Sequence, residues 1–238
     1  MTEERWKDGP FPVVLLALTG VTGLVDAISF LGLGSIFTAN MTGNVVLLGF
    51  ALAGAPGVSI SRSLTSLLAF LVGAALGGRL GESIAAASRR RWLVTGGISE
   101  AVLLLAAALA SIGFDIGSAS PPGRLYALIV LTAVTMGLRN ATLRRLAVPD
   151  LMSTVLTVTL TAVAAESSVA GGNNPRIVRR IASVASMLVG AAIGTLLLRH
   201  GLALPLAVSG VCVLAATAAH GLFMAPDKTG RGPIPKCN

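Results

Sequence analysis

The sequence predicts an all-α polytopic membrane protein made of two inverted repeats, each with three transmembrane helices and one re-entrant half-helix. Three observations carry that prediction. The chain has 238 residues, of which 54% are hydrophobic and only 12% charged, whereas a soluble domain carries about 25% charged residues. Its mean hydropathy is +0.83. Apolar runs recur at the length needed to cross a hydrocarbon core about 30 Å thick. Finally, the first half of the chain recurs in the second.

Taken in order, the apolar runs of the first half are 12–33 (a), 35–54 (b), 64–87 (c) and 93–113 (d). Those of the second half are 124–143, 151–168, 179–198 and 202–224. LTGVTGLVDA at 18–27 returns as LTAVTMGLRNA at 131–141, which aligns Thr19 with Thr132, Thr22 with Thr135 and Asp26 with Asn140. LVGAALG at 71–77 returns as LVGAAIG at 188–194 with a single change. Between these anchors FTANMTGN at 37–44 faces DLMSTVLTVT at 150–159, matching Thr38 to Ser153 and Thr42 to Thr157.

Whether run b crosses decides the topology. With b re-entrant in both halves and the N-terminus inside, all but Arg62, Arg124 and Arg199 of the eighteen Lys and Arg fall on one side. Basic residues concentrate on the cytoplasmic side of membrane proteins. Eight full spans divide the same residues almost evenly, so six spans plus two re-entrant segments are favoured. The alternative is seven or eight full spans, because b is long enough to cross. The basic clusters agree with inversion: Arg89, Arg90 and Arg91 follow run c in the first half, and Arg176, Arg179 and Arg180 precede it in the second.

The expected organisation is a cytoplasmic segment 1–11, one transmembrane domain 12–224 and a flexible cytoplasmic tail 225–238. Repeat one covers about 12–113 and repeat two about 124–224. MTEERWKDGPFP lacks the basic start and small-residue cleavage site of a signal peptide, so the first run is expected to stay as a span.

Composition also excludes several classes. The net charge of +8 is spread between apolar runs rather than along one amphipathic face, which suits membrane anchoring and not nucleic acid. Cys212 and Cys237 cannot form a CxxC site or a disulfide framework, and His200 and His220 stand apart. No metal, cofactor or catalytic set is expected: HExxH, GxxxxGK and Ser-His-Asp arrangements are all missing from the sequence.

The polar residues inside the apolar runs are the candidates for function. Thr38 and Thr42 are four apart, as are Asn40 and Asn44, so on a helix each pair shares a face. Ser153 and Thr157 continue the pattern in the second half, with Thr154 off the row. A half-helix starting at membrane depth presents free N–H groups and a positive dipole end, the device by which discontinuous helices in transporters hold substrate or ion. The bland reading is glue, since such side chains hydrogen-bond membrane helices together for about 0.6–2 kcal/mol each.

Asp26 lies well inside run a, and an intramembrane carboxylate is by default a functional-site residue. It suits proton coupling; the bland reading is an Asp fixed by Asn40, Asn44 or a helix end. Asp150 follows Pro149 and reads as the N-cap of the second b helix. Glu166 is expected to pair with Arg176 or to line an entrance, while Glu100 has no assignment. Arg139, Arg144 and Arg145 read as side chains reaching for the inner headgroups. Gly73 and Gly77, with Gly190 and Gly194, form GxxxG at equivalent places and predict that the two c helices pack closely across the pseudo-twofold axis.

DAISFLGLGSIFTANMTGNVVLLG at 26–49 and GLRNATLRRLAVPDLMSTVLTVTLTAVAAESS at 137–168 together resemble the YoaK-like bacterial membrane proteins, the domain of unknown function 1275. The resemblance covers about 12–224. It rests on Asp26, Phe37, Thr38, Asn40, Thr42, Gly43 and Asn44, and on Asn140, Asp150, Leu151, Thr154, Leu156, Thr157 and Thr159. It implies a multi-pass protein of the bacterial cytoplasmic membrane and supplies no substrate.

The sequence leaves two functions open. One is a small-molecule permease that alternates access to a central site lined by Asp26, Asn40, Asn44, Asn140 and Thr157. The other is a non-transporting scaffold or partner-binding subunit whose polar rows pack dry. Expected partners are the lipid bilayer, a small molecule or ion, and a second copy of the chain on the small-residue faces.

Overall fold

The computed structural model describes residues 11–85, 89–146, 156–174 and 176–223. Among these are eight α-helices: α1 (Phe11–Gly32), α2 (Met41–Leu52), α3 (Ile60–Ala85), α4 (Arg89–Ala110), α5 (Pro122–Leu146), α6 (Leu156–Ala165), α7 (Ile177–Leu197) and α8 (Ala203–Phe223). They follow the eight apolar runs one for one. Six of them, α1, α3, α4, α5, α7 and α8, are long and apolar enough to cross a membrane. The 12 residues of α2 extend about 18 Å at 1.5 Å per residue, short of a 30 Å core. The described part of α6 is shorter still, at 10 residues.

Local chemistry sets the ends. Pro122 opens α5, where a missing N–H costs nothing because the first turn has no acceptor for it. Asn40 caps α2, its side chain accepting from the Gly43 N–H at 3.2 Å. After α1 the chain reverses through Gly34 at φ +86°, where any added Cβ would run into the Arg62 guanidinium. In the α4–α5 loop, the Ser118 hydroxyl and the backbone N–H groups of Gly117 and Ser118 donate to Asp115 and hold its carboxyl below the usual range.

The two halves are interleaved. The most extensive helix pairs are α3 with α5, α1 with α7, and α4 with α8. Every one joins an element of the first half to an element of the second. The expectation that the two c helices meet each other is therefore corrected: each lies on the first helix of the opposite half. Gly73 and Gly77 of α3 face the backbone of Val134 and Leu138 on α5, and Gly190 and Gly194 of α7 face Gly20 and Leu24 on α1. Leu24 and Leu138 are aligned in the repeat, as are Gly23, which faces Met187, and Gly137, which faces Phe70. Close approach of backbones is what small residues permit in lipid, where no hydrophobic force drives helices together.

The enclosed core belongs to α1, α4, α5 and α8, where Val25, Ile28, Leu104, Leu128, Met136, Leu206 and Val213 are buried. α7 and α3 are the least buried spans, with Leu68, Val72, Leu188 and Val189 exposed as befits lipid-facing surface. The repeat-matched threonines are satisfied within their own helices. Thr19 donates to the Leu15 carbonyl at 3.0 Å and Thr132 to Leu128 at 2.6 Å. Thr22 and Thr135 do the same to Leu18 and Leu131.

Candidate functional site

The polar stretch FTANMTGN folds into two parts, a short loop and the first turn of α2. Asn44, in that turn, is buried and fastens the loop. Its Oδ1 accepts from the Phe37 N–H at 2.8 Å, and its Nδ2 donates to the Phe37 carbonyl and to Ser66 Oγ at 3.1 Å. Ser66 on α3 donates to the same carbonyl at 2.6 Å. One asparagine and one serine thus answer backbone groups of Phe37 that no helix supplies. Phe37 also stacks on Phe30 of α1, with ring centroids 5.1 Å apart.

Held this way, the loop presents the Ala39 N–H to Asp26 of α1, which accepts a hydrogen bond from it. Asp26 is 9% exposed, and its Oδ1 meets no hydrogen-bond partner among the described residues. Asp26 lines a cavity of about 540 Å³. Thr22 and Asp26 line it from α1, Phe37, Ala39 and Asn40 from the loop, and Thr42, Gly43, Val46 and Leu47 from α2. Leu156 and Thr157 of α6 and Met187 of α7 complete the lining. That volume is in the range of small-molecule sites, about 300–1,000 Å³.

The structure therefore brings four of the sequence-derived residues together at one cavity: Asp26, Asn40, Thr42 and Thr157. Thr42 and Thr157 are repeat partners, and each half supplies one. Thr38 is fully buried and outside that lining, its hydroxyl without a hydrogen-bond partner among the described residues. Asn44 is spent on the loop. Asn140, the repeat partner of Asp26, is half-buried on α5 and donates to the Met136 carbonyl at 2.8 Å, away from this cavity. Ser153, Thr154 and the expected cap Asp150 lie outside the described residues. No cluster of His, Cys, Asp and Glu able to hold a metal forms among the described residues.

A second polar centre was not foreseen. Arg139 of α5 pairs with Glu100 of α4 at 3.1 Å, both side chains about 5% exposed or less. The Arg139 guanidinium also donates to the Leu18 carbonyl of α1. The headgroup-seeking role expected of Arg139 is thereby corrected. Its position on α5 faces α4 and α1, so the guanidinium meets a carboxylate and a carbonyl inside the bundle, not lipid headgroups. Beside the pair is a cavity of about 60 Å³ lined also by Thr142, Thr217 and His220, room for about two waters. The signal available in the sequence was charge itself: an acid in one span and a base in another are costly unless they meet. Glu166 pairs with Arg180 at 2.8 Å, and Arg180 also donates to the Ala162 carbonyl at 3.0 Å, tying α7 to α6.

The sequence profile of the family described as "Protein of unknown function (DUF1275)" matches residues 14–219. The chain belongs to that family. Among curated proteins it is similar to the UPF0700 transmembrane protein YoaK of Bacillus subtilis (strain 168), with 36% identity over 149 residues. The matched stretch spans 61% of this chain and 61% of that relative's length. No solved structure matches. With six helices of membrane-crossing length and a relative named as a transmembrane protein, this DUF1275 member is a multi-pass membrane protein.

Proposed function

We propose that this DUF1275 protein is a small-molecule permease that moves its substrate without chemically converting it. The observation that carries the reading is the 540 Å³ cavity where Asp26, Asn40 and Thr42 of the first half meet Thr157 of the second. A site shared between two repeats can open to either side as the repeats rock against each other. The short helix α2 and its fastened loop supply the irregular backbone that such sites use, which is tolerated at depth only where it is buried or lines a cavity. Six crossings with α2 and α6 re-entering would run the halves in opposite directions through the bacterial cytoplasmic membrane, with both termini in the cytoplasm.

Proteoliposomes on a solid-supported membrane, challenged with small solutes of differing charge, test this reading. Wild-type protein is expected to give a substrate-dependent current or pH signal for one class, and Asp26→Asn to lose it while keeping its elution profile. A wild type that moves no solute of any class, or an Asp26→Asn protein with unchanged proton coupling, would count against it.

A further inference from the structure

We infer that the cavity selects a positively charged, hydrogen-bond-donating group: its ligand is a small organic cation, such as a protonated amine with an apolar body. The inference deepens the permease reading and rests on it only for the statement that the ligand is carried. Asp26 supplies the recognition. Asp26 is 9% exposed, with Oδ1 enclosed and unpartnered among the described residues, and it lines a cavity that holds no other ionisable residue among those described. No Lys, Arg or His of the described chain reaches that lining. A buried carboxylate without a counter-charge is costly, and an ammonium group in the cavity answers that charge.

The start of α2 argues against an anionic ligand. A helix N-terminus draws negative charge, but here a carboxylate already stands beside it. Asn40 accepts from Gly43 N, and the Ala39 N–H just ahead of it donates to Asp26. An incoming anion would meet the carboxylate first. Size argues against a bare metal ion, which needs six or more oxygens drawn in to about 2.0–2.6 Å. A cavity of about 540 Å³ walled by Val46, Leu47, Leu156 and Met187 instead fits an apolar body behind a charged head. Thr42 and Thr157, also in the lining, carry hydroxyls able to accept the remaining N–H groups.

The test uses three probes with one apolar body and different charges: phenethylammonium, 2-phenylethanol and phenylacetate. Each is titrated calorimetrically into the full chain in lipid nanodiscs, with empty nanodiscs subtracted. The expected result is saturable binding of the ammonium, about tenfold or more tighter than the alcohol, a difference of the size a charge-assisted bond confers, with no site for the carboxylate. Asp26→Asn should remove the preference. Val46→Trp, which fills the cavity from α2, should remove binding. Equal or tighter binding of the alcohol or carboxylate, no saturable ammonium binding, or an unchanged preference in Asp26→Asn would overturn the assignment. If Asp26→Asn does not fold, the wild-type charge series and Val46→Trp decide alone. Ammonium binding without transport of any solute would sink the permease reading only. Transport of a neutral or anionic solute with no ammonium binding would sink this inference only.

Discussion

Replacing Glu100 with alanine is expected to destabilise the protein by about 3–5 kcal/mol, the cost of stripping one partner from a buried ion pair. Arg139 would keep its bond to the Leu18 carbonyl, but its charge would remain inside the bundle at 4% exposure. Arg139→Ala should cost a similar amount, because Glu100 is equally enclosed. The double substitution Glu100→Leu with Arg139→Met removes both charges at nearly constant volume and should recover most of the loss. Buried pairs replaced by apolar residues are often neutral or better. Unfolding in mixed micelles with increasing denaturing detergent measures all four proteins. A Glu100→Ala loss below about 1 kcal/mol, the range of exposed pairs, would show that the pair is solvated and does not tie α4 and α5 to α1.

The second large effect concerns the glycine contacts between the halves. Gly190→Ala places a Cβ on the Gly20 carbonyl, and Gly73→Ala places one on that of Val134. In both cases the obstruction is backbone, so a helix must move. Overpacking of this kind costs about 1–3 kcal/mol, and a rigid obstacle puts these two at the upper end. Gly78→Ala and Gly49→Ala meet nothing within 4 Å. Those two should be neutral or stabilising by up to about 1 kcal/mol, the ordinary gain of Ala over Gly in a helix. Comparable losses at Gly73 and Gly190 would follow from their equivalent places in the interleaved halves. A large loss at only one of them would mean that the α3–α5 and α1–α7 contacts are not equivalent in strength.

Helix number and order were legible because each hydrophobic run is long and bounded by Gly, Pro or charge. Boundaries were less so. Run c was placed at 64–87, yet α3 begins at Ile60, because the polar ISRS that opens it reads as loop although Ser63 is buried. The cavity residues Asp26, Asn40, Thr42 and Thr157 stood out as polar groups inside apolar sequence. What the spacing misplaced was Asn44. The i, i+4 pattern puts it on one face with Asn40, but Asn40 is the cap outside the helix and Asn44 is inside it. The two asparagines therefore do different work, one at the cavity and one behind it. The GxxxG pairs announced close packing without naming the partner, since small residues fit any backbone that approaches. The Glu100–Arg139 pair joins positions 39 apart on separate helices, and reading one run at a time could not link them.

Accessibility of cysteines placed at positions 40 and 157 tests the central claim most directly. In a background with Cys212 and Cys237 replaced by serine, Asn40→Cys and Thr157→Cys are labelled with a membrane-impermeant maleimide applied to each side of sealed vesicles in turn. Ser209 of α8, buried at 0% exposure and close to cysteine in size, serves as the unreactive control when replaced by cysteine. A wet cavity with alternating access predicts that both positions 40 and 157 react from either side, and that the ammonium probe slows the reaction. Reaction from one side alone, or from neither, would contradict the permease account.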